Sequence, residues 1–339
     1  MARITIEDVA RAAKCSTATV SLVLNGRGRV AEKTRKRVLK VQEDMAYVPN
    51  SAGRSLRMQK TNTVGLLFYP TCAKLFRNVF YAEIMEGLEE AMSHAGYDLL
   101  LSGGDFSAEQ NKLPAFLQQH RVDAAVLLGA FPRVIVERLG EAGVPLMLLD
   151  SNFEELPMDS ITTDGYTAGK MVVAHLHQKG HRRMLFMAYS LEDYNIDARA
   201  RGFEAGLLAH GMPGQDAVIR DFILHEDALD RLLERLARPD APTAVVCVND
   251  TLAVALMTRL REAGYSLPEQ VSFVGFDDDV YAREIKPSLT TVSIDKASLG
   301  REGAAILINR LRDPSARVTK IRLPVQLIER ESVTTIPVT

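Results

Sequence analysis

The chain opens on a helical period. Ile6, Val9, Ala10 and Ala13 recur at i, i+3, i+4 and i+7, which places them on one helix face. Thr5 precedes them and Asp8 follows three residues later, the spacing of a capping box. Lys14-Cys15 makes a short turn, and Ser16 suits the N-cap of a second helix whose inward positions are Val20, Val23 and Leu24. Asn25-Gly26 ends that helix. A third helix is predicted over 31–47, with Thr34, Val38, Val41 and Met45 on one face and Val48-Pro49 as its stop. Two short helices joined by a tight turn, with a third packed behind, predict a helix-turn-helix whose second helix enters a DNA major groove. A small structural bundle would show the same spacing.

Beyond residue 61 the pattern changes. Short β-rich runs are predicted as strands at 63–68, 98–101, 124–128, 145–149, 184–187, 244–247 and 271–275. Amphipathic stretches at 81–94, 165–178, 197–210 and 251–263 separate them, several followed by a glycine (Gly96, Gly180, Gly211, Gly264). Such a βα repeat implies parallel sheets with helices on both faces. The run is long for one sheet, and an acid-rich loop with Pro157 at 153–159 divides it, so two α/β lobes are expected. Ligands of open α/β sheets sit at the carboxyl ends of the strands. Asp150, Asn249, Asp250, Asp277, Asp278 and Asp279 fall there, Arg199 lies near a helix start, and Phe222 follows a short apolar run. Acceptors, donors and rings together suit a polyhydroxylated ligand. Asp164 and Asp250 also read as helix N-caps.

Length and charge sharpen this. At about 100–200 residues per domain, the 339 residues fit two or three domains. No apolar run reaches the roughly 18–20 residues of a bilayer span, and no signal-peptide stretch opens the sequence. Cys15, Cys72 and Cys247 lie far apart, which fits a reducing cytoplasm. The net charge of −2 hides an asymmetry: residues 1–60 hold 13 Lys/Arg against 5 Asp/Glu, and the rest 28 against 38. A basic head on an acidic body marks a polyanion-binding module. His175, His177 and His181 lack the i, i+4 spacing of a helical metal site, and no phosphate loop, dinucleotide fingerprint or nucleophile elbow occurs. Neither a metal, a cofactor nor an enzymatic activity is expected.

The segment ITIEDVARAAKCSTATVSLVLNG carries the motif D-V-A-x-x-A-x-x-S-x-x-T-V-S-x-V-L-N, and YVPNSAGRSLRMQKTNTVGLL follows. On these residues the chain resembles the lactose-repressor (LacI/GalR) family of bacterial transcription regulators over nearly its whole length. The resemblance implies an all-α head at 1–49, a hinge at 50–61, and a periplasmic-binding-protein-like body at 62–339. It places the first lobe at 62–160 and 292–321 and the second at 161–291 and 322–339, with crossings near Ser160, Val292 and Arg322. Segment 291–311 would return to the first lobe, and a last strand at 321–328 to the second. It implies operator contacts by Thr5, Ser16, Thr17, Ala18, Thr19, Ser21, Leu22 and Asn25, and a hinge leucine, Leu56, beside Arg57, wedged into the minor groove. Leu22 stands where many relatives carry Arg or His and cannot donate to guanine. Effector contacts are implied for Asp150, Arg199, Phe222, Asn249 and Asp277, with Phe80, Tyr81 and Tyr69 as aromatics of the first lobe. Dimer or core packing is the competing role for Phe80 and Tyr81. The expected protein is a repressor that binds a palindromic operator as a homodimer under control of a sugar-like effector. Helix 81–94 and segment 297–311 are the expected interface elements. The absence of a C-terminal heptad segment favours a dimer over a tetramer.

Overall fold

The structure is a computed structural model. It describes residues 4–24, 28–47, 60–71, 73, 76, 78–106, 113–190, 192–212, 217–219 and 225–337. The chain divides into two compact units, Met1–Thr61 and Asn62–Thr339. Asn25, Leu56, Arg57 and Phe222, and most of the hinge, lie outside the described residues.

The head contains α1 (Ile6–Ala12), α2 (Thr17–Leu24) and α3 (Glu32–Asp44). Thr5 and Asp8 form the capping box: the Thr5 N–H donates to Asp8 Oδ2 at 2.9 Å, and the Asp8 N–H donates to Thr5 Oγ1 at 3.4 Å. In the turn, Lys14 takes a φ of +48°, a left-handed conformation that glycine adopts more cheaply. Ser16 Oγ accepts the Thr19 N–H at 3.1 Å and starts α2. Val9, Ala10, Ala13, Val20, Val23, Val38 and Tyr47 meet as the head's core. The α3 face is therefore held mainly by Val38, with Val41 and Met45 at its margin.

In the body, the first sheet holds β1 (Thr63–Phe68), β2 (Asp98–Gly103), β3 (Ala124–Leu128), β4 (Leu146–Leu149), β5 (Asp159–Thr163) and β11 (Lys320–Leu323). Its order is β11-β5-β4-β3-β1-β2. The second sheet holds β6 (Met184–Met187), β7 (Val218–Ile219), β8 (Ala244–Cys247), β9 (Ser272–Asp277), β10 (Thr290–Ser293) and β12 (Gln326–Ile328), in the order β12-β10-β9-β8-β6-β7. Among the described residues, all pairings are parallel except β12 against β10. The helices are α4 (Val79–His94), α5 (Ala115–Gln118), α6 (Arg133–Gly140), α7 (Gly165–Gln178), α8 (Tyr194–Ala209), α9 (His225–Leu236), α10 (Asp250–Glu262), α11 (Val280–Glu284) and α12 (Lys296–Arg312). Apolar clusters fill both faces of the first sheet, and one continuous core fills the second lobe.

The lobe boundaries differ from the sequence expectation in three places. The chain leaves the first sheet after Thr163, not near Ser160, because all of β5 pairs between β4 and β11. That strand, DSITT, lacks an apolar period; Arg310 anchors its buried Asp159 with bonds of 2.8 and 3.0 Å. Residues 290–293 stay in the second sheet as β10, so the return to the first lobe begins after β10, with Ile294 and α12. The single strand expected over 321–328 is two strands in different sheets. Pro324 falls between them, where a residue without an N–H breaks a ladder.

Close backbone approach sets how α7 and α8 pack. A Cβ on Gly169 of α7 would lie 2.3 Å from the Arg199 carbonyl oxygen of α8, so only glycine lets these helices cross there. Among the described residues, no helix is long and apolar enough to cross a membrane.

Candidate functional site

The head presents a short-chain surface. Thr17, Ala18 and Leu22 of α2 are exposed, while Val20 and Val23 turn inward. Thr5, Ser16 and Thr19 each have a local partner: Thr5 caps α1, and Ser16 Oγ lies 2.9 Å from Thr19 Oγ1. Ser21 is half-buried.

In the body, two aspartates sit at strand ends, one in each sheet. Asp150 follows β4 and Asp277 ends β9. Both are buried, and both have positive φ, +60° and +109°. A non-glycine residue held there stores about 1–3 kcal/mol of strain, a feature concentrated at ligand sites.

Asp277 faces Arg199. The guanidinium donates to Asp277 Oδ1 at 3.3 Å and to the Val248 carbonyl at 2.5 Å, and it lies 4.8 Å from the Phe276 ring centroid. Burial raises Asp277 to about 7, with Arg199 acting against the rise. Asp150 lies against Asn195, whose Nδ2 donates to the Asp150 carbonyl at 2.8 Å and to Oδ1 at 2.9 Å. Asn195 Oδ1 accepts the Thr162 hydroxyl at 2.5 Å. Burial, then the neighbouring Asp193, pushes Asp150 well above the usual carboxylate range, while Arg199 pulls it down. Tyr81 joins this group: burial, then Asp150, Asp193 and Asp277, raise its phenol. Its ring packs edge-on against Phe80 and Phe68.

The remaining expected residues separate. Phe80 is buried in the first-lobe core beside Ile84 and Leu88, so its place is the packing alternative. Tyr69 packs against Phe131 at 6.0 Å, over the apolar cluster that contains Leu67 and Phe131. Asn249, not Asp250, caps α10: its Oδ1 accepts the Leu252 N–H at 2.9 Å. Asp250 is fully buried and accepts the Thr291 hydroxyl at 2.6 Å and the Asp279 N–H at 2.9 Å. A Cβ on Gly275 would lie 2.1 Å from Asp250 Oδ1, so β9 carries glycine where that carboxylate enters. Asp164 caps α7 as expected, accepting the Thr167 N–H at 3.0 Å.

The run Asp277-Asp278-Asp279 diverges to three sets of partners. Asp277 meets Arg199, Asp278 meets Arg283 at 2.9 Å and Arg330 at 2.5 Å, and Asp279 lies 3.6 Å from Lys296. Lys296 is itself buried and 3.5 Å from Glu83 of α4, so it joins the two lobes. Sequence reasoning missed Asn195, Thr162 and Lys296. The one local signal was Asp193, a good N-cap whose Oδ1 accepts the Asn195 and Ile196 N–H groups at 2.8 and 3.2 Å. The cap fixes where Asn195 stands at the start of α8.

Chemically, the junction of the two lobes, called the cleft below, offers buried carboxylates, a guanidinium and a phenol, a set that can bind donors and acceptors of a polyhydroxylated molecule. Residues 5–50 match the family described as bacterial regulatory proteins, lacI family. Residues 173–333 match the periplasmic binding protein-like domain. The HTH-type transcriptional repressor PurR of Vibrio atlanticus is 30% identical, covering 98% of this chain and 99% of its own. A solved transcriptional regulator CelR–cellobiose complex is 30% identical, with a TM-score of 0.74, covering 97% of this chain and all of that one. The lac repressor dimer bound to operator and the anti-inducer ONPF shares the fold at a TM-score of 0.84 and 23% identity, covering 98% of this chain and 100% of that one. The chain belongs to the lacI family of bacterial regulatory proteins.

Proposed function

We propose that this chain is a transcriptional repressor that binds a palindromic operator as a homodimer and is controlled by a sugar or sugar derivative held between its lobes. The observation that carries the ligand reading is the pair of buried, left-handed aspartates, Asp150 and Asp277, at strand ends of the two sheets, with Arg199 against one of them. Strain at two such positions is retained where it serves binding. Asp150, Arg199, Asp277 and Tyr81 hold the ligand, with Asn249 at its margin, Tyr69 outside the inner set, and Phe222 as the stacking aromatic that the family resemblance implies. CelR was solved with cellobiose, which supports a saccharide.

On DNA, Thr17, Ala18, Ser21 and Leu22 face the bases. Thr5, Ser16, Thr19 and Asn25 position the head on phosphates. Leu56, with Arg57, enters the minor groove from the hinge and kinks the duplex. A ligand that favours one lobe arrangement changes whether the two hinges of a dimer order on DNA.

The test is a gel shift on palindromic DNA selected from a random library by the full chain, with and without cellobiose and ribose. Binding should fall steeply with salt because several phosphates are neutralised. Failure to prefer any duplex over random DNA rejects the operator reading. Leu56→Ala should reduce bending of the selected DNA while leaving ligand binding intact, and unchanged bending removes the wedge role.

A further inference from the structure

We infer that the recognition helix reads thymine by its 5-methyl group, and that the base pair beneath Leu22 is an A·T pair. The inference rests on the operator-binding reading and adds the chemistry by which the operator is chosen.

The helix TATVSLVL contains no Arg, Lys, His, Asn or Gln and no acid, and every one of its residues is described. It therefore offers the groove only hydroxyls and hydrocarbon. Val20 and Val23 are buried in the head's core. Thr19 Oγ1 is paired with Ser16 Oγ at 2.9 Å. The exposed positions are Thr17, Ala18 and Leu22, and Leu22 leaves 42% of its surface to solvent.

Leu22 is exposed and also braced. Gly28, at a φ of +77°, backs onto it: a Cβ there would lie 3.2 Å from Leu22 Cδ2 and 3.6 Å from Cδ1. The leucine methyls thus stand against the Gly28 backbone, in a segment, residues 1–60, with 13 Lys/Arg to 5 Asp/Glu. That charge selects a polyanion as the occupant of this apolar spot, and the spot selects among the polyanion's base edges.

The choice follows from what each base shows in the major groove. Guanine presents two acceptors and calls for a forked donor; adenine calls for an amide; cytosine offers a donor and calls for an acceptor. Leucine supplies none of these, and set against guanine it would strip water from O6 and N7 without replacing it. Thymine alone presents an apolar group, its methyl, with which Leu22 and Ala18 can make contact.

The test starts with duplexes selected from a random library by the full chain and, separately, by Leu22→Arg. The position at which the two consensus sites differ marks the pair beneath residue 22. The wild-type site should carry A·T there and the Leu22→Arg site G·C. Replacing that thymine by deoxyuridine removes the methyl and nothing else. Affinity should fall roughly fourfold per half-site, about the effect of one buried methyl group. Leu22→Ala should bind the thymine and deoxyuridine duplexes equally. A wild-type site with G·C at that position, or a deoxyuridine duplex bound as tightly as its parent, overturns the inference and leaves the operator reading standing. If no consensus emerges for the wild type, both fall.

Discussion

In the head, the capping side chains find partners three residues away: Thr5 with Asp8, Ser16 with Thr19. In the cleft, the corresponding partners lie far apart in sequence. Asn195 reaches Asp150 across 45 positions, Asp250 reaches Thr291 across 41, and Arg199 reaches Asp277 across 78. The head's reading face is exposed and uncharged; the cleft's is buried and charged. The difference predicts how function and stability are coupled. A change on the recognition face should alter what is read and leave the fold alone. A change in the cleft should disturb both, because each polar group there also satisfies a buried neighbour on another element.

The largest effect should come from Arg199→Ala. It removes the cation from a buried pair and a donor from the Val248 carbonyl, which should destabilise the body by about 3–5 kcal/mol and abolish the ligand response. Urea denaturation checks it. A loss well under 1 kcal/mol would mean that the cleft tolerates change as the recognition face does, and the contrast between the two regions would fail. Asp277 adds a pH arm. Its folded value of about 7 lies above its ordinary 3.8, so the folded state binds the proton more tightly. Stability from this group is therefore greatest below about pH 4 and falls as pH rises toward 7. Asp277→Asn should flatten that part of the profile. A variant profile that overlays the wild type across this window would remove Asp277 as its source.

Next comes Asn195→Ala. It leaves the Asp150 carboxylate and the Thr162 hydroxyl without their amide partner, at about 1–3 kcal/mol of lost stability. Weakened ligand binding should accompany it, because Asp150 loses the group that orients it. Intact binding in a destabilised variant would make Asn195 structural only.

The same contrast explains what the sequence reveals. The head's caps, its turn and its core are written locally, and Thr5, Asp8, Ser16, Val20 and Val23 behave as their spacing predicts. The βα alternation also marks most strands, because runs such as β1, β3, β4, β6 and β8 are largely apolar and buried. Strand β5 escapes that reading, since Ile161 is its one apolar residue and its buried Asp159 is satisfied by Arg310 on a helix 151 positions away. Asn195 is illegible for a related reason. Within YNIDA it is an ordinary residue of a first helical turn, and only the packing of the α8 start against β4 and β5 gives it a role. Either Asn249 or Asp250 could cap α10, and the entry of Asp250 beside Gly275, where it meets Thr291 and Asp279, leaves the cap to Asn249.

A smaller loss is expected from Ser16→Ala, which removes the Oγ that accepts the Thr19 N–H at 3.1 Å. A lost N-cap of this kind costs about 1 kcal/mol. The loss should appear only in the head's unfolding transition, because Ser16 belongs to the first of the two compact units. Scanning calorimetry of the full chain can separate the two transitions, and a shift in the body's transition would show that the units do not unfold independently.

The smallest stability change should be that of Leu22→Ala. Leu22 lies outside the head's core, and an exposed substitution of this kind falls within about ±0.5 kcal/mol. Its brace is a glycine backbone that does not depend on the leucine for a hydrogen bond. The variant should therefore melt with the wild type while losing its discrimination between thymine and deoxyuridine. That combination, unchanged melting with changed reading, is the reverse of what Arg199→Ala should show. If Leu22→Ala instead lowers the head's transition by as much as Ser16→Ala does, Leu22 belongs to the packing of the head, and the separation of reading from folding does not hold at that position.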